Sequence, residues 1–313
     1  MSEASVLFDA PGPKARRLHI VVAVLGAGLI GGLLALMVVG LANPENNQFT
    51  AEKWLPFLQA DTWTAYLLPG LVGTVVASVI SVVLAICFGL LLGMGRLSQH
   101  RWVRWATGGF VEFFRAVPVL MMMLFAYYAG LFTLHLGGNL LPLFGVVVGL
   151  TVYNSCVLAE LVRSGVGSLP RGQRESGLAI GLTPFQTLRI ILLPQAITAM
   201  LPSMLSQLVV IVKDSALGSM IAYSELLRAG TNLSTRYGNL IPALFVLAAM
   251  YIVLNYLLTR LAGVVEARLH RGARHVEGQG PTAGMVPEPA AEPDIPQTVM
   301  PKPDHRPGRE KPR

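Results

Sequence analysis

Lys213 and Asp214 stand side by side in a run, Leu201 to Ala222, that is otherwise apolar. An ionised group at the centre of a bilayer costs about 2.5–3.5 kcal/mol on insertion scales, so such a pair needs a reason. Neighbours in sequence face different sides of a helix, so the two charges do not neutralise one another and each requires a partner elsewhere. Together with Ser215, and with Asn154 and Ser155 in another apolar run, they could line a cavity that replaces the hydration of a zwitterionic solute. Lys213 would then take the carboxylate and Asp214 the ammonium. The alternative is that both pair with other helices for structure alone. Glu112/Arg115 and Glu160/Arg163 are each three apart, the spacing at which helical side chains meet, and serve either as local ion pairs or as elements of a gate. Other chemistry is sparse. The six histidines form no ligand set, His270 and His275 merely flanking Arg271 and Arg274. No metal or cofactor is expected, and no Gly-x-x-x-x-Gly-Lys-Ser/Thr loop is present to cradle ATP phosphates. The residues suit a transport component, not an enzyme.

The elements that position these groups follow from composition. Of 313 residues, 53% are hydrophobic and 13% charged, about half the charge of an ordinary soluble domain. Apolar runs reach roughly 20 residues, the length a helix needs to cross about 30 Å of hydrocarbon. The pattern predicts an all-α polytopic membrane protein with six transmembrane helices, near 18–42, 66–94, 107–133, 143–164, 199–222 and 239–263, because an isolated spanning segment must satisfy its own backbone. Pro118 should kink the third. If residues 1–17, with Lys14, Arg16 and Arg17, are cytoplasmic, then so are Arg96, Arg101 and Arg104, then Arg171, Arg174 and Arg189, then Arg268, Arg271 and Arg274. The alternate loops carry mainly Lys53, Arg228 and Arg236, so the positive-inside bias places both termini in the cytoplasm. The first run is too long for a signal peptide and lacks a cleavage pattern. Gly28/Gly32, Gly89/Gly93 and Gly145/Gly149 repeat at the spacing that lets helices approach closely. Cys87 and Cys156 lie in separate apolar runs and suggest neither a disulfide nor a thiolate site. The net charge of +7 comes with no nucleic-acid recognition module and reports topology. Residues 271–313 are rich in proline, glycine and charge, and are expected to form a disordered cytoplasmic tail.

Between the fourth and fifth spans lies a loop of about thirty residues, long enough to carry function. Ser168-Leu169-Pro170 opens a helix, Gly181 ends it in the left-handed conformation, and Thr183 caps a second helix with Pro184 next and Gln186 three residues on, a capping box. Glu175-Ser176-Gly177, Gly181, then Ile191-Leu192-Leu193-Pro194 resembles the signature of the binding-protein-dependent ABC importer permeases, in which Glu-Ala-Ala is followed by Gly and Ile-x-Leu-Pro at the same spacing. Ser176 and Gly177 replace its alanines. Phe113-Phe114-Arg115-x-x-Pro118, Ala159-Glu160-Leu161-Val162-Arg163, Leu169-Pro170-Arg171-Gly172-Gln173 and Val212-Lys213-Asp214-Ser215 are similar to segments of the polar and basic amino-acid branch.

The resemblance covers residues 66–263, and implies a type-I permease core of five helices plus one extra N-terminal helix. It assigns Glu175, Ser176, Gly177, Gly181, Leu182, Ile191, Leu193 and Pro194 to coupling with a dimer of ABC ATPase subunits. It also implies a second permease subunit, in a heterodimer, an extracytoplasmic amino-acid-binding protein, a place in the lipid of the bacterial inner membrane, and no nucleic-acid partner. The leader Leu7 to Lys14 looks like that of actinobacterial glutamate permeases, which makes glutamate the favoured substrate. Glutamine, aspartate or arginine would fit the rest of the sequence as well. A self-contained secondary transporter would be expected to show an inverted repeat, and none is evident.

Overall fold

The structure is a computed structural model that describes residues 12–43 and 46–277. All regular structure among the described residues is helical. The helices are α1 (Pro13–Ala42), α2 (Ala51–Trp54), α3 (Ala60–Thr62), α4 (Leu68–Arg96), α5 (Arg101–Ala116), α6 (Val119–Phe132), α7 (Leu140–Ser168), α8 (Arg171–Ala179), α9 (Pro184–Gln186), α10 (Leu193–Asp214), α11 (Leu226–Tyr237) and α12 (Leu240–Glu277). The leader at 7–11 and the tail from 278 lie outside the described residues. The chain divides into two units, 1–269 and 270–313. Residues 271–277, expected in the tail, instead belong to α12.

Among the described residues, five helical stretches are long and apolar enough to cross a membrane: Pro13–Ala42, Ala60–Arg96, Leu140–Ser168, Pro184–Ile221 and Leu240–Val264. Two of them join several elements through a wide π-helical turn. Trp63–Leu67 precedes Pro69, and Thr187–Leu192 precedes Pro194. A proline removes one amide donor and its ring crowds the carbonyl four residues back; here that carbonyl, of Ala65 or Ile190, lies within the widened turn. The helix therefore continues through both prolines; Pro69 lies inside the predicted span 66–94, whereas the predicted span 199–222 is the latter part of one rod, Pro184–Ile221, that also includes the helix expected after Thr183.

The predicted span 107–133 is broken, not kinked. Helices α5 and α6 meet at 103°. Val117 precedes a proline and is driven into extended backbone (φ −83°, ψ 130°), and Pro118 follows suit (φ −57°, ψ 135°), so α5 ends and α6 starts anew. At about 1.5 Å per residue, α6 is roughly 21 Å long and cannot cross the hydrocarbon alone.

Helix α7 is the axis of the protomer, burying Val146, Leu150, Asn154, Leu158, Ala159 and Val162 against α4, α6 and α10. Two of the glycine pairs explain how closely they pack. A Cβ on Gly89 or Gly93 would lie 2.7 Å from Leu158 Cβ or 2.9 Å from Val162 Cβ, and one on Gly149 would lie 2.7 Å from the Met123 amide. Gly28 and Gly32 have nothing within 4 Å, and α1 buries no residue in the protomer.

Contacts between helix ends establish two ends of the bundle. At one, which we call the basic end, Arg96 of α4 meets Glu112 and Glu160. At the opposite end, Gln48 donates to Gly238 O (3.1 Å) and accepts from the Ile241 amide (3.2 Å), and Asn239 donates to Lys53 O (2.9 Å). The chain thus leaves α1 at the opposite end, descends α4 to the basic end, climbs α6, descends α7, climbs α10 and descends α12.

Candidate functional site

Helix α8 projects from the basic end between α7 and the long rod. Pro170 starts it and Gly181 ends it. The Leu182 amide donates to Gly177 O (3.2 Å) and the Gly181 amide to Leu178 O (3.0 Å), with Gly181 at φ +86°. This is the Schellman arrangement, in which a left-handed residue lets the chain bend back onto the last carbonyls. Thr183 and Gln186 then form the reciprocal capping box expected from their spacing, with the Gln186 amide donating to Thr183 Oγ1 (3.3 Å) and the Thr183 amide to Gln186 Oε1 (2.8 Å). Gly177 is the only buried residue of α8. A Cβ there would lie 2.6 Å from Thr187 Cγ2 and 3.0 Å from Ile191 Cδ1, so the glycine is what seats α8 on the following helix. The turn leaves Ile180 75% and Phe185 60% exposed. Glu175 and Ser176 are exposed too, whereas Ile191 and Leu193 are half-buried along the rod and Pro194 follows its π turn.

A charged cluster sits beside this loop. Glu160 of α7 accepts from Arg163 (2.6 Å), as its spacing predicts, and also lies 3.3 Å from Arg96 and 3.9 Å from Arg115. Glu112 does not pair with Arg115; it reaches Arg96 of α4 at 3.4 Å. The two local pairs expected from the sequence are thus one network joining α4, α5 and α7. Arg96, read from the sequence only as a topology marker, is its least exposed member, its side chain 11% accessible. No local pattern could have revealed this, because Arg96 meets its partners across helices.

The five polar residues placed in a substrate pathway are not brought together within the protomer. Asn154 is fully buried, donating to Leu150 O (2.8 Å) and accepting from Gln207 of α10 (2.7 Å). Ser155 and Ser215 are buried and donate to carbonyls of their own helix, Thr151 O and Val212 O. Their polar groups are thus satisfied locally, although Ser155 also borders an otherwise mostly apolar cavity of about 350 Å³ between α4, α5 and α7. Lys213 is exposed and Asp214 half-buried, and neither forms an ion pair among the described residues.

Sequence reasoning overlooked Glu225. It is fully buried between the last two spans, where its carboxylate caps α11 by accepting from the amides of Leu227 (2.7 Å) and Arg228 (2.6 Å) and from the Tyr251 hydroxyl (2.9 Å). Beside it the Leu226 amide donates to Thr74 Oγ1 and Tyr223 to Gly73 O, which locks the start of α4 to α11. A glutamate followed by the start of a helix was the available signal. Burial pushes its carboxyl above the usual carboxylate range, against the lowering pull of those donors and of Arg228. Because the folded value is raised, the associated stability is present below the unfolded value and lost as pH rises through the folded one. Relative to Glu225→Gln, the parent protein should therefore gain thermal stability as pH falls from neutral towards about 4.3. Glu225→Ala removes a cap, costing about 0.5–2 kcal/mol, and strands the Tyr251 hydroxyl at about 1–3 kcal/mol more. Melting of the detergent-solubilised protein across pH checks both; a pH-independent gap between parent and Gln variant would refute the first.

Residues 85–271 match the family of binding-protein-dependent transport system inner membrane components. The chain belongs to this family. It is 47% identical over 227 residues to the glutamate transport system permease protein GluD of Corynebacterium glutamicum, covering 72% of this chain and 83% of that one. It is 30% identical over 208 residues to the glutamate/aspartate import permease protein GltK of Escherichia coli O157:H7, covering 65% and 93%. Among solved structures, an amino acid ABC transporter superposes with a TM-score of 0.61 at 24% identity, over 69% of this chain and 98% of that one. The methionine ABC transporter MetNI superposes with 0.54 at 21%, over 67% and 99%. These two show the type-I permease fold. As an inner membrane transport component, the chain is a multi-pass permease subunit, and the loop around α8 is the part of this family member that faces away from the bundle.

Proposed function

We propose that this permease is one half of a heterodimeric, ATP-driven importer that carries glutamate across the bacterial inner membrane. The observation that carries the reading is the 47% identity to a glutamate permease in a chain whose α8 loop keeps the family's glycine turn. The basic end is cytoplasmic: Arg96, Arg101, Arg104, Arg171, Arg174 and Arg189 cluster there, against Lys53, Arg228 and Arg236 at the other. The segment from Glu175 in α8 to Leu182 docks on a separate ATPase subunit, with Ile180 and, at the start of α9, Phe185 as its apolar contacts. An extracytoplasmic binding protein delivers substrate at the opposite end. Lys213 is exposed on the protomer and Asp214 half-buried beside it, which suits a pathway shared with the second permease, and the Glu160 network acts as a latch on the cytoplasmic side.

Uptake by the complete transporter in proteoliposomes tests the assignment. Glutamate should outcompete glutamine and arginine, and Lys213→Met should lower glutamate uptake at least tenfold while the complex assembles normally. Methionine keeps much of the stem and removes the cation that would meet a substrate carboxylate. If uptake of every substrate and the protein yield fall together, Lys213 has a structural partner and the pathway assignment is wrong. A reporter fused after residue 277 should read cytoplasmic and one at residue 52 extracytoplasmic; the reverse overturns the orientation.

A further inference from the structure

Helix α5 presents three stripes. Val111 is buried against the bundle; Trp102, Ala106, Gly109 and Phe113 recur at helical spacing on an outward face; Arg101, Arg104, Glu112 and Arg115 form a charged stripe between them. Trp102 is 84% exposed, Trp105 78% and Phe113 63%. Because α5 lies at 103° to α6, and α6 packs along α7, it runs across the end of the bundle and not through it. An amphipathic helix with tryptophans on one side and arginines on the other is built to lie in the headgroup layer.

At its start a cavity of about 950 Å³ opens between the end of α4 and α5, lined in part by Arg96, Arg101, Trp102, Arg104, Trp105 and Glu112. Arg96 is already committed to Glu112 and Glu160. Arg101 and Arg104 form no ion pair among the described residues, and Arg104 spends one donor on Ser98 O (3.1 Å). Gly108 and Gly109 leave the wall open, with nothing within 4 Å of an added Cβ. Two guanidiniums outside any ion pair among the described residues, beside two exposed indoles and with Glu112 taken up by Arg96, fit a phosphodiester whose acyl chains run down the Trp102–Phe113 face.

We propose that α5 binds the headgroup of an anionic phospholipid between Arg101 and Arg104, and that this lipid seats α5 against the Glu160 network. The site rests on the functional reading only in that this end of the spans meets a bilayer surface; it is independent of substrate and of ATP. A lipid is favoured over a protein partner because the apolar stripe continues from the cavity along the helix into the membrane-facing side, whereas the α8 loop already offers its own apolar knobs.

Quenching of tryptophan fluorescence by brominated lipid tests this on the full chain in vesicles. The sequence has four tryptophans, and Trp54 and Trp63 lie at the opposite end; their signal is measured in a Trp102→Phe/Trp105→Phe variant and subtracted. Brominated phosphatidylglycerol should quench Trp102 and Trp105 several-fold more effectively than brominated phosphatidylcholine at equal mole fraction. The preference should vanish in Arg101→Gln/Arg104→Gln and survive excess inorganic phosphate. Equal quenching by the two lipids after that subtraction overturns the proposal, and does not depend on the arginine variant folding. So does a preference that persists without the arginines, one that phosphate abolishes, or one that disappears when the ATPase subunit binds. Loss of uptake without loss of lipid preference would count against the transport reading alone.

Discussion

Replacing Gly181 by valine should reduce glutamate uptake to background, while the permease should still insert and be recovered at close to the parent level. The cause is the backbone and not a collision. A Cβ on residue 181 meets nothing within 4 Å, but φ is +86°, a conformation that costs a non-glycine residue about 1–3 kcal/mol and a β-branched one most of all. Valine relieves that strain by leaving the left-handed region, which breaks the Leu182 and Gly181 bonds back to α8 and swings Ile180 and Phe185 off their present line. The spans are untouched, because α8 contributes only Gly177 to a buried contact. Uptake, membrane yield and co-purification of the ATPase measure the three parts. Normal uptake with normal ATPase association would sink the coupling assignment. Gly177→Val acts differently, through the 2.6 Å approach to Thr187, and should lower yield as well.

Glu160→Gln has the second large effect. It takes the only carboxylate that Arg115 and Arg163 share and leaves Arg96 with Glu112 alone, whose side chain is 73% exposed. Removing one partner from a buried pair costs about 3–5 kcal/mol, and an exposed pair about 0–1 kcal/mol. With the Glu160 side chain 23% accessible, the cost should fall between, about 1–3 kcal/mol. If the network is a latch, a transporter carrying the Gln variant should also show elevated ATP hydrolysis by its ATPase subunit without binding protein, because α7 no longer holds Arg96 of α4 and Arg115 of α5. Reduced stability with unchanged basal hydrolysis would make the network structural.

The parts of this molecule legible in its sequence are those whose chemistry is local. Pro170, Gly181, Thr183 and Gln186 specify where helices start and stop within a turn of themselves, so the loop could be drawn without knowing its surroundings. The break at Val117–Pro118 was half visible: the proline was evident, but an apolar run on either side read as one span, because hydropathy does not register a backbone that changes direction. The continuity through Pro194 failed for the converse reason, since a proline reads as a boundary unless a widened turn absorbs it. Arg96, Glu112 and Glu160 come from three helices, and Glu225 owes its burial to Thr74 and Tyr251 from elsewhere in the chain. Asn154 shows the limit most clearly. Its polarity in an apolar run was rightly singled out, but whether it faces substrate or Gln207 depends on what α10 places opposite it.

The rod from Pro184 to Ile221 carries the α8 loop at one extremity and Lys213 near the other, with the widened turn before Pro194 between them. About ten residues, roughly 15 Å, lie on the loop side of that proline and about nineteen, roughly 28 Å, separate it from Lys213. A stiff rod pivoting there is a lever with arms near one to two. If the long arm does not flex at Pro202, a displacement imposed on the loop would reappear at Lys213 about twice as large and reversed in direction, so a small movement of a docked ATPase would part side chains deep in the membrane. Spin labels at Phe185 and at Met220, each paired in a separate sample with a reference label on α7 and followed through ATP binding, would give the ratio, and an equal shift of both ends in the same direction would mean that the rod slides and does not pivot.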